Sequence, residues 1–327
     1  MSSNSEIGII FIGIGKYIMF FDAFYDLCEK NFLRKHKKNY YLITDRYNDF
    51  SRLGDNITVI KEKDYGWPNN AMLKFSFFVK YKNIIGANNS HIFYFNGDAL
   101  IINEIKDEEF LPGINNSSEK LICVQHSVHT IDDYYRLPFE KRKESTSFIS
   151  PEESSFYRVS GIIGGKKYDF FKHFEEMSKL LKKDMDNNII PVWHDESVFN
   201  HYIVKNKNIF KYLPRTFCFS IEDVYPTNEE VIKIAIRPKY EVGGRQYLRN
   251  KNGIDEDYKF NDSCCDKIIT VLSEEGRETL RIKDSKCFAC KRLKEFDISS
   301  MNDSFIQFAN QETYIFKDGV WSKEAPN

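Results

Sequence analysis

The sequence predicts an α/β fold with a mostly parallel central sheet flanked by helices, followed by a small β-rich C-terminal module. Short apolar runs of β-type residues alternate with longer amphipathic stretches, a pattern typical of parallel sheets covered on both faces. After about residue 253 the pattern changes to short β-like runs and turns, with a hairpin signal at Asp318-Gly319. We therefore assign residues 1–253 to one α/β domain and 254–327 to the module, whose role the sequence leaves open.

The first half of the chain contains four predicted strands and two helices. The elements in chain order are a strand at 7–14, a helix from about 20 to 32, strands at 39–45 and 56–61, a helix at 69–85 and a strand at 91–101. Three of these strands end in polar or glycine-rich residues, namely Gly13-Ile14-Gly15, Asp45 and Asn96-Gly97-Asp98. Because ligands of such sheets gather at the carboxyl ends of the strands, we expect these residues to lie close together.

The second half continues the alternation. Its elements are the strand KLICVQH from Lys120, a polar stretch, the strand FYRVSGIIGG from Phe156, a helix over Lys166–Met185, a further helix after residue 193, and the strand KIAIRPKY from Lys233. The amphipathic pattern of the last helix places its beginning beside Trp193-His194-Asp195-Glu196. A carboxylate in a first turn is held ionised by the helix dipole and by unpaired N–H groups. The alternative interpretation is an ordinary capped helix start with solvated acids.

Composition and charge limit the kinds of partner. The 327 residues carry a formal net charge of −1, which does not favour general binding to nucleic acid or to an anionic membrane. The seven cysteines are an odd number on a long chain, which argues against a disulfide scaffold and for a reducing compartment. Lys16 interrupts the N-terminal apolar run, which is too short for a membrane span. We expect a cytoplasmic protein without a transmembrane segment, with a peripheral membrane association left open.

Three further patterns each have an ordinary structural explanation. The glycines at 13 and 15 lack the full dinucleotide fingerprint, so they also fit a plain tight turn. Asn96-Gly97-Asp98 retains one carboxylate, and a turn without a ligand is equally compatible. The cysteines at 264, 265, 287 and 290 could bind zinc, although the first pair lacks CxxC spacing and free thiols are the default.

A basic segment follows the last strand. Its cations flank a glycine pair and are Arg237, Lys239, Arg245, Arg249 and Lys251. A solvated basic loop is the ordinary interpretation of such a segment. The functional interpretation is a flap whose cations close on a diphosphate and supply the positive charge that a metal would otherwise supply.

Several of these segments together resemble glycosyltransferase family 6, the family of the blood-group A and B transferases and α-1,3-galactosyltransferase. The resemblance rests on GWPNNAMLKF, FYFNGDALI, FYRVSGIIGG and IPVWHDESVFNHYIV, which occur in family order between about residues 7 and 251. It is closest to the short bacterial and phage members. The resemblance implies a GT-A fold and retaining transfer of Gal or GalNAc from a UDP-sugar to the 3-hydroxyl of a galactoside. The acceptor would be an oligosaccharide or a glycolipid precursor, and no nucleic acid is implied.

The resemblance also implies site residues. Glu196 would face the anomeric carbon as nucleophile or as stabiliser of an oxocarbenium-like transition state. The donor-sugar and acceptor contacts would be Trp193, His194, Asp195, His126, Val159, Ser160 and Gly161. The nucleotide-binding residues would be Ile12, Gly13, Ile14, Tyr17, Trp67, Lys74, Asn96, Asp98, Lys239, Arg245 and Arg249.

The chain departs from the family pattern at several points. The Asp-x-Asp of animal members is Asn96-Gly97-Asp98 here, so Mn²⁺ at Asp98 is only one possibility, and catalysis with no metal or with weak metal stimulation is the favoured one. Lys74 replaces an arginine, and Pro138 stands where the family has threonine. Gly161 is expected to leave room for an acetamido group, which favours GalNAc over Gal. The departures keep two alternatives open, a catalytically decayed glycan- or UDP-sugar-binding protein and a UDP-sugar hydrolase.

Overall fold

Strands and helices alternate through most of the chain, which confirms the α/β class. A computed structural model describes residues 6–47, 49, 54–130, 133–220, 230–242 and 244–249, and the backbone of five strands between 268 and 323. The strands up to residue 249 are β1 (Glu6–Ile12), β2 (Lys38–Thr44), β3 (Ile57–Lys61), β4 (Asn89–Phe95), β5 (Ala99–Ile101), β6 (Leu121–Gln125), β7 (Arg158–Lys166), β8 (Phe210–Leu213), β9 (Phe219–Ser220) and β10 (Ile234–Ile236). The α-helices are α1 (Phe21–Asn31), α2 (Asn69–Met72), α3 (Lys74–Lys80), α4 (Lys82–Ile85), α5 (Asp107–Phe110), α6 (Lys167–Asp186), α7 (Asp195–Lys205) and α8 (Gly244–Leu248). Four 3-10 turns, Gly15–Phe20, Lys207–Ile209, Arg215–Phe217 and Lys239–Val242, lie between them.

The central sheet has seven strands in the order β3-β2-β1-β4-β7-β6-β8. Its neighbouring strands pair in parallel except for β7, which runs antiparallel to both β4 and β6. This mostly parallel sheet flanked by helices matches the expected GT-A type. A small second sheet, ordered β5-β10-β9, packs the segment after β4 against the strand that precedes the basic segment.

The two faces of the sheet form separate hydrophobic layers. Along β1 the side chains alternate, so that Ile9 and Phe11 pack on the face covered by α1 while Ile10 packs on the face covered by α3, α6 and α7. Residues of β1 to β4 are almost continuously apolar because both faces are buried. The result is a rigid edge at the carboxyl ends of β1, β2 and β4.

The predicted single helix over 69–85 is wrong in detail, since the segment forms α2, α3 and α4. The backbone leaves ideal helical geometry at Leu73 and Tyr81, each of which caps one short helix and begins the next. Hydrogen bonds from Phe77 to Leu73 and from Ile85 to Tyr81 nevertheless carry the helical course across both breaks. The periodicity of the sequence could not reveal these local adjustments.

The predicted β-rich C-terminal module contains an antiparallel sheet of five strands. They are β11 (Ile268–Ser273), β12 (Gly276–Ile282), β13 (Phe305–Phe308), β14 (Thr313–Lys317) and β15 (Val320–Lys323). β14 and β15 pair antiparallel, while the predicted hairpin turn at Asp318-Gly319 lies outside the described residues. The four cysteines considered for zinc, and Lys251 of the basic segment, lie outside the described residues. Cys28, Cys123 and Cys218 are buried free thiols.

Candidate active site

A cavity of about 280 Å³ opens where β1 and β4 end, beside the beginning of α7. The strand ends therefore meet a ligand-sized space at the edge of the sheet where the sequence predicted one. Its lining residues are Ile12, Ile14, Tyr17, Asp64, Trp67, Asn70, Ala71, Lys74, Tyr94, Asn96, Gly97, Asp98, Ser160, Trp193, His194, Asp195, Glu196, Lys239, Leu248 and Arg249.

Two adjacent acids in the first turn of α7 are held by one serine of β7. The Ser160 amide donates a hydrogen bond to Glu196 Oε2 at 2.9 Å, and Ser160 Oγ donates to Asp195 Oδ2 at 2.7 Å. The Lys74 ammonium pairs with Asp195 and also donates to the Ser160 carbonyl at 2.8 Å. Lys74 and Asp195 are only 5% and 7% exposed, so this ion pair is buried. The Lys74 charge is thus largely matched by Asp195, while Glu196 faces the cavity.

The charge state of Glu196 differs from the sequence expectation. Burial raises the pKa of this carboxyl to about 7, and the adjacent Asp195 raises it too, against the opposing Ser160 N–H and Lys74. At neutral pH the Glu196 carboxyl is therefore only partly ionised, less than its position at a helix start alone would give. The loss of hydration destabilises the ionised carboxylate more than the helix N-terminus stabilises it. The side chain can both carry and release a proton near neutral pH.

An aromatic and cationic wall closes one side of the cavity. The His194 and Trp67 rings meet edge to face with centroids 4.7 Å apart, and the Arg249 guanidinium lies 3.7 Å from the centroid of Trp67. His194 has a φ of 54°, a conformation that non-glycine residues rarely adopt. Residues with such backbone conformations cluster at functional sites. Burial lowers the pKa of His194, so its imidazole is neutral at neutral pH. Trp193 is 50% exposed at the cavity mouth.

The Asn96-Gly97-Asp98 turn brings its remaining carboxylate to the cavity. Asp98 is 2% exposed and forms an ion pair with the Lys239 ammonium. Burial alone would lower the pKa of Lys239, but the Asp98 carboxylate raises it by more. The pKa of Lys239 is therefore above its ordinary value, and the ammonium stays charged. Asn96 Oδ1 accepts a hydrogen bond from the Tyr94 hydroxyl at 3.0 Å. Burial, and secondarily Asp98, raises the pKa of Tyr17 beside them.

These residues do not fit a resident divalent cation. A hard cation needs several free oxygen ligands, preferably more than one carboxylate. Here the single carboxylate of the turn is already neutralised by Lys239, and the Asn96 carbonyl oxygen already accepts from Tyr94. Among residues that the structure describes, no group of three or more His, Cys, Asp or Glu side chains converges as a metal site would require. Lysine and arginine are the cations that the site itself supplies.

Gly161 faces the Asn96 side chain. A Cβ added there would lie 2.6 Å from Asn96 Nδ2 and 2.9 Å from Asn96 Cγ. The backbone N–H of Asn96 also donates a hydrogen bond to the Gly161 carbonyl at 2.7 Å. The Asn96 side chain therefore lies against Gly161, and room for an acetamido group beside this glycine stays a prediction that depends on where the Asn96 side chain lies. Gly161 does not line the cavity.

Other predicted residues lie just outside the lining. Gly13 supports the first strand end, since its carbonyl accepts from Thr44 Oγ1 at 2.7 Å. Val159, a residue of β7, is partly buried and packs against the core. His126 accepts from the amides of Val128 and His129, and its ring lies 4.5 Å from that of His129. Arg245 influences the titration of Tyr17 without lining the cavity.

Six lining residues were missed by sequence reasoning: Asp64, Asn70, Ala71, Tyr94, Gly97 and Leu248. Asp64 and Asn70 shape the loop that carries Trp67. Asp64 Oδ1 accepts from the Gly66 amide and from Asn70 Nδ2, both at 2.7 Å. The sequence DYGWPNN contains the Asp, Gly, Pro and Asn residues of such a turn, so the signal was present. Tyr94 reads as an ordinary core residue because it is buried within a strand.

Comparison with known proteins agrees with the fold. The family model for glycosyltransferase family 6 matches residues 1–246. The chain is 30% identical over 233 residues to the O-antigen biosynthesis glycosyltransferase WbnI of Escherichia coli, covering 71% of this chain and 94% of that protein. It is 26% identical over 214 residues to histo-blood group ABO system transferase 1 of Rattus norvegicus, covering 62% of this chain and 58% of the relative.

A third relative is globoside alpha-1,3-N-acetylgalactosaminyltransferase 1 of Homo sapiens, 22% identical over 216 residues. The match covers 62% of this chain and 58% of that protein, so the chain spans little more than half of its animal relatives. Among the described helices none has both the length and the apolarity to cross a bilayer. With the family model matched from residue 1 to residue 246, the chain belongs to glycosyltransferase family 6.

Proposed function

We propose that the protein transfers galactose or N-acetylgalactosamine from a UDP-sugar, with retention, to the 3-hydroxyl of a galactoside-type acceptor. The single observation that carries the proposal is the position of Glu196. Its carboxyl faces the same cavity as the Asn96–Asp98 turn, and the Ser160 amide fixes it at 2.9 Å. A retaining reaction needs one ionised carboxylate beneath the sugar ring, either to form a covalent intermediate or to stabilise a cation during same-face attack.

The part of the cavity that holds Lys239 and Arg249 suits the departing diphosphate. Loss of UDP places negative charge on the phosphate oxygens, and fixed cations stabilise that charge most effectively in a partly buried site. Lys239 and Arg249 line this part of the cavity, and Lys239 could move its ammonium from Asp98 towards phosphate. Because the residues do not fit a divalent cation, we propose that transfer proceeds without a required metal.

The buried Lys74–Asp195 pair leaves each partner a distinct role. Asp195 would accept hydrogen bonds from donor-sugar hydroxyls, and Lys74 would keep that carboxylate ionised in a dry environment. Trp193 at the mouth would offer its exposed ring to the acceptor galactoside. His126 does not line the cavity, so it would contact only a part of the acceptor that extends beyond the cavity.

The acceptor class is a surface glycan or its lipid-linked precursor. WbnI is named for O-antigen biosynthesis, and this relative matches over nearly its whole length, which supports a bacterial surface polysaccharide. The buried free thiols of Cys28, Cys123 and Cys218 support a reducing, cytoplasmic location, where a lipid-linked acceptor would require peripheral membrane association. Because room for an acetamido group beside Gly161 depends on where the Asn96 side chain lies, galactose and N-acetylgalactosamine stand as equal donors.

The decisive experiment is a matrix of UDP-Gal and UDP-GalNAc against β-galactoside acceptors, with and without EDTA. We expect acceptor-dependent release of UDP that EDTA does not abolish. Glu196→Gln should lower kcat by a factor on the order of 10³ while the Kd for UDP stays within about twofold, since the charge acts on the transition state. Full activity of Glu196→Gln would refute its role. UDP release that acceptor does not increase would indicate a hydrolase, and binding without turnover a decayed transferase.

A further inference from the structure

A buried carboxylate outside the cavity binds the segment that leads into the first turn of α7. Glu140 is 2% exposed and lies in the polar stretch between β6 and β7. Its carboxylate accepts hydrogen bonds from Arg142 Nε at 2.9 Å, from Arg142 Nη2 at 2.7 Å and from the Val192 amide at 2.8 Å. The last of these bonds bridges 52 positions of sequence and ends one residue before Trp193. Glu140 thus connects the polar stretch between β6 and β7 to residues 190–193, here called the Trp193 loop.

Arg142 completes the connection. Its Nη2 donates to the Ile190 carbonyl at 2.6 Å, so the Glu140–Arg142 pair binds both an acceptor and a donor of the Trp193 loop. At the other end of the loop, the Trp193 amide donates to Ser197 Oγ at 2.9 Å. The side chains of Ile190, Val192 and Trp193 are 53%, 50% and 50% exposed. Pro191 in the middle of the loop is buried, while the other three side chains are about half exposed, so the polar contacts help to decide where the loop lies.

The donor side of the active site is anchored by different groups. Asp195 is held by Lys74 and Ser160, and the Glu196 carboxylate is held by the Ser160 amide. Within α7, Asn200 Nδ2 donates to the Glu196 carbonyl at 2.9 Å, and it also donates to the Arg158 carbonyl of β7 at 2.7 Å, which ties the helix turn to β7. Loss of the Glu140 contact therefore frees the Trp193 loop without releasing the two acids.

We propose that Glu140, together with Arg142, is a positioning residue that holds Trp193 for the acceptor and thereby sets acceptor affinity separately from donor binding. The proposal rests on the proposed function for its acceptor class. A galactose ring has one face of C–H groups that packs against an indole, and such packing requires the ring to be fixed in advance. Neither residue touches substrate itself. The pair acts through the backbone of the Trp193 loop.

The test is Glu140→Gln, which keeps the shape of the side chain and removes its charge. We expect the Kd of lactose for the UDP-bound protein, and the acceptor KM where lactose is used, to rise about tenfold, the factor expected for losing one charge-assisted hydrogen bond. The Kd for UDP should stay within about twofold, as should kcat at saturating acceptor. Amide hydrogen exchange in the Trp193 loop should accelerate by a similar factor of about ten.

Asp184→Asn is the matched control. Asp184 is also fully buried and binds the same polar stretch, through Ser145 Oγ and the Thr146 amide at 2.7 Å each, instead of the Trp193 loop. This variant should leave lactose affinity and loop exchange unchanged. If Glu140→Gln proves too unstable to purify, Arg142→Ala replaces it, because the Arg142 side chain is 53% exposed and still loses the Ile190 contact.

Three results would overturn the proposal: unchanged exchange in the Trp193 loop of Glu140→Gln, an equal loss of lactose affinity in Asp184→Asn, or a loss of UDP affinity as large as that of lactose. Calorimetric binding and hydrogen exchange need no turnover. A wild-type protein that binds lactose and UDP but transfers no sugar would therefore contradict the proposed function and leave the role of Glu140 decided by its own measurements.

Discussion

The buried position of Glu196 ties the reaction to pH. Burial raises the pKa of this carboxyl to about 7, and the reaction requires its ionised form. We therefore expect kcat/KM to be high above about pH 8 and to fall as pH decreases through about 7, since a raised carboxyl pKa means that the acid form persists to neutral pH. Initial rates measured between about pH 5.5 and 9 at saturating acceptor test this.

His194→Asn is the control for the pH profile. Burial lowers the pKa of His194, so this imidazole titrates below its ordinary range and cannot produce a limb near pH 7. The variant should lose activity but keep the midpoint. A wild-type profile that stays flat down to about pH 5 would contradict the assignment of the limb to Glu196.

Gly161 is expected to act on nucleotide binding and not on the choice of donor sugar. In Gly161→Ala the new methyl group would displace the Asn96 amide, whose nitrogen lies 2.6 Å from the Cβ position. We expect the Kd for UDP to rise about tenfold, corresponding to one lost hydrogen bond, with the UDP-Gal to UDP-GalNAc ratio unchanged. Titration calorimetry and competition between the two donors measure these effects.

A double-mutant cycle isolates this contact. If Gly161→Ala acts through Asn96, then adding it to Asn96→Ala should cost no further UDP affinity, because the displaced group is already absent. Additive losses, or a changed donor ratio in the single variant, would contradict the explanation. The cycle also separates the contact from any general loosening of β7, which would appear in both backgrounds.

Three elements meet at the Lys74–Asp195 pair: α3 supplies the lysine, α7 the acid, and β7 the serine that binds both. Lys74→Met would leave the Asp195 carboxylate buried without its cation. We expect a loss of about 3 kcal/mol in the free energy of unfolding, the usual cost of breaking one side of a buried pair. Urea denaturation at pH 7 measures the loss.

The double variant Lys74→Met/Asp195→Asn is the test of that cause. Removing the stranded charge should recover most of the stability, since a neutral pair avoids the desolvation penalty. Lys179→Met, in α6, is the control, because the side chains of Lys179 and its partner Glu175 are 71% and 40% exposed, and it should cost less than about 1 kcal/mol. Equal losses in the two single lysine variants would rule out the burial argument.

At the scale of elements, the sequence predicted the strand ends well and the contacts between them poorly. Apolar runs and their terminal polar residues are local, so β1, β2 and β4 and the residues that follow them were predictable. The Glu140–Val192 bond joins residues 52 positions apart, and the close approach at Gly161 depends on Asn96, which follows β4. The resemblance supplied Glu196, but the fold, through burial and the adjacent Asp195, determines its raised pKa.

On the scale of the whole molecule, the cavity is assembled from two sheets and their loops. The central sheet provides the strand ends, while β10 of the small sheet leads into the segment that carries Lys239 and Arg249. Lys16 donates to the Tyr247 carbonyl at 2.9 Å and lies 3.6 Å from the centroid of its ring, which fastens α8 to the turn after β1. Lys239 and Arg249, which lie near the end of the domain, are thereby brought to the cavity.

The last prediction concerns the division of the chain at residue 253. Every residue that lines the cavity lies at or before Arg249, and the family match ends at residue 246. We expect a protein truncated after Gly253 to keep its Kd for UDP within about twofold, because the donor-binding contacts remain. If residues 254–327 dock the acceptor or mediate oligomerisation, truncation will raise the KM for long acceptors, but not for lactose, or will change the mass measured by light scattering. A truncated protein that no longer binds UDP would contradict the boundary, and one unchanged in acceptor KM and mass would remove both roles for the module.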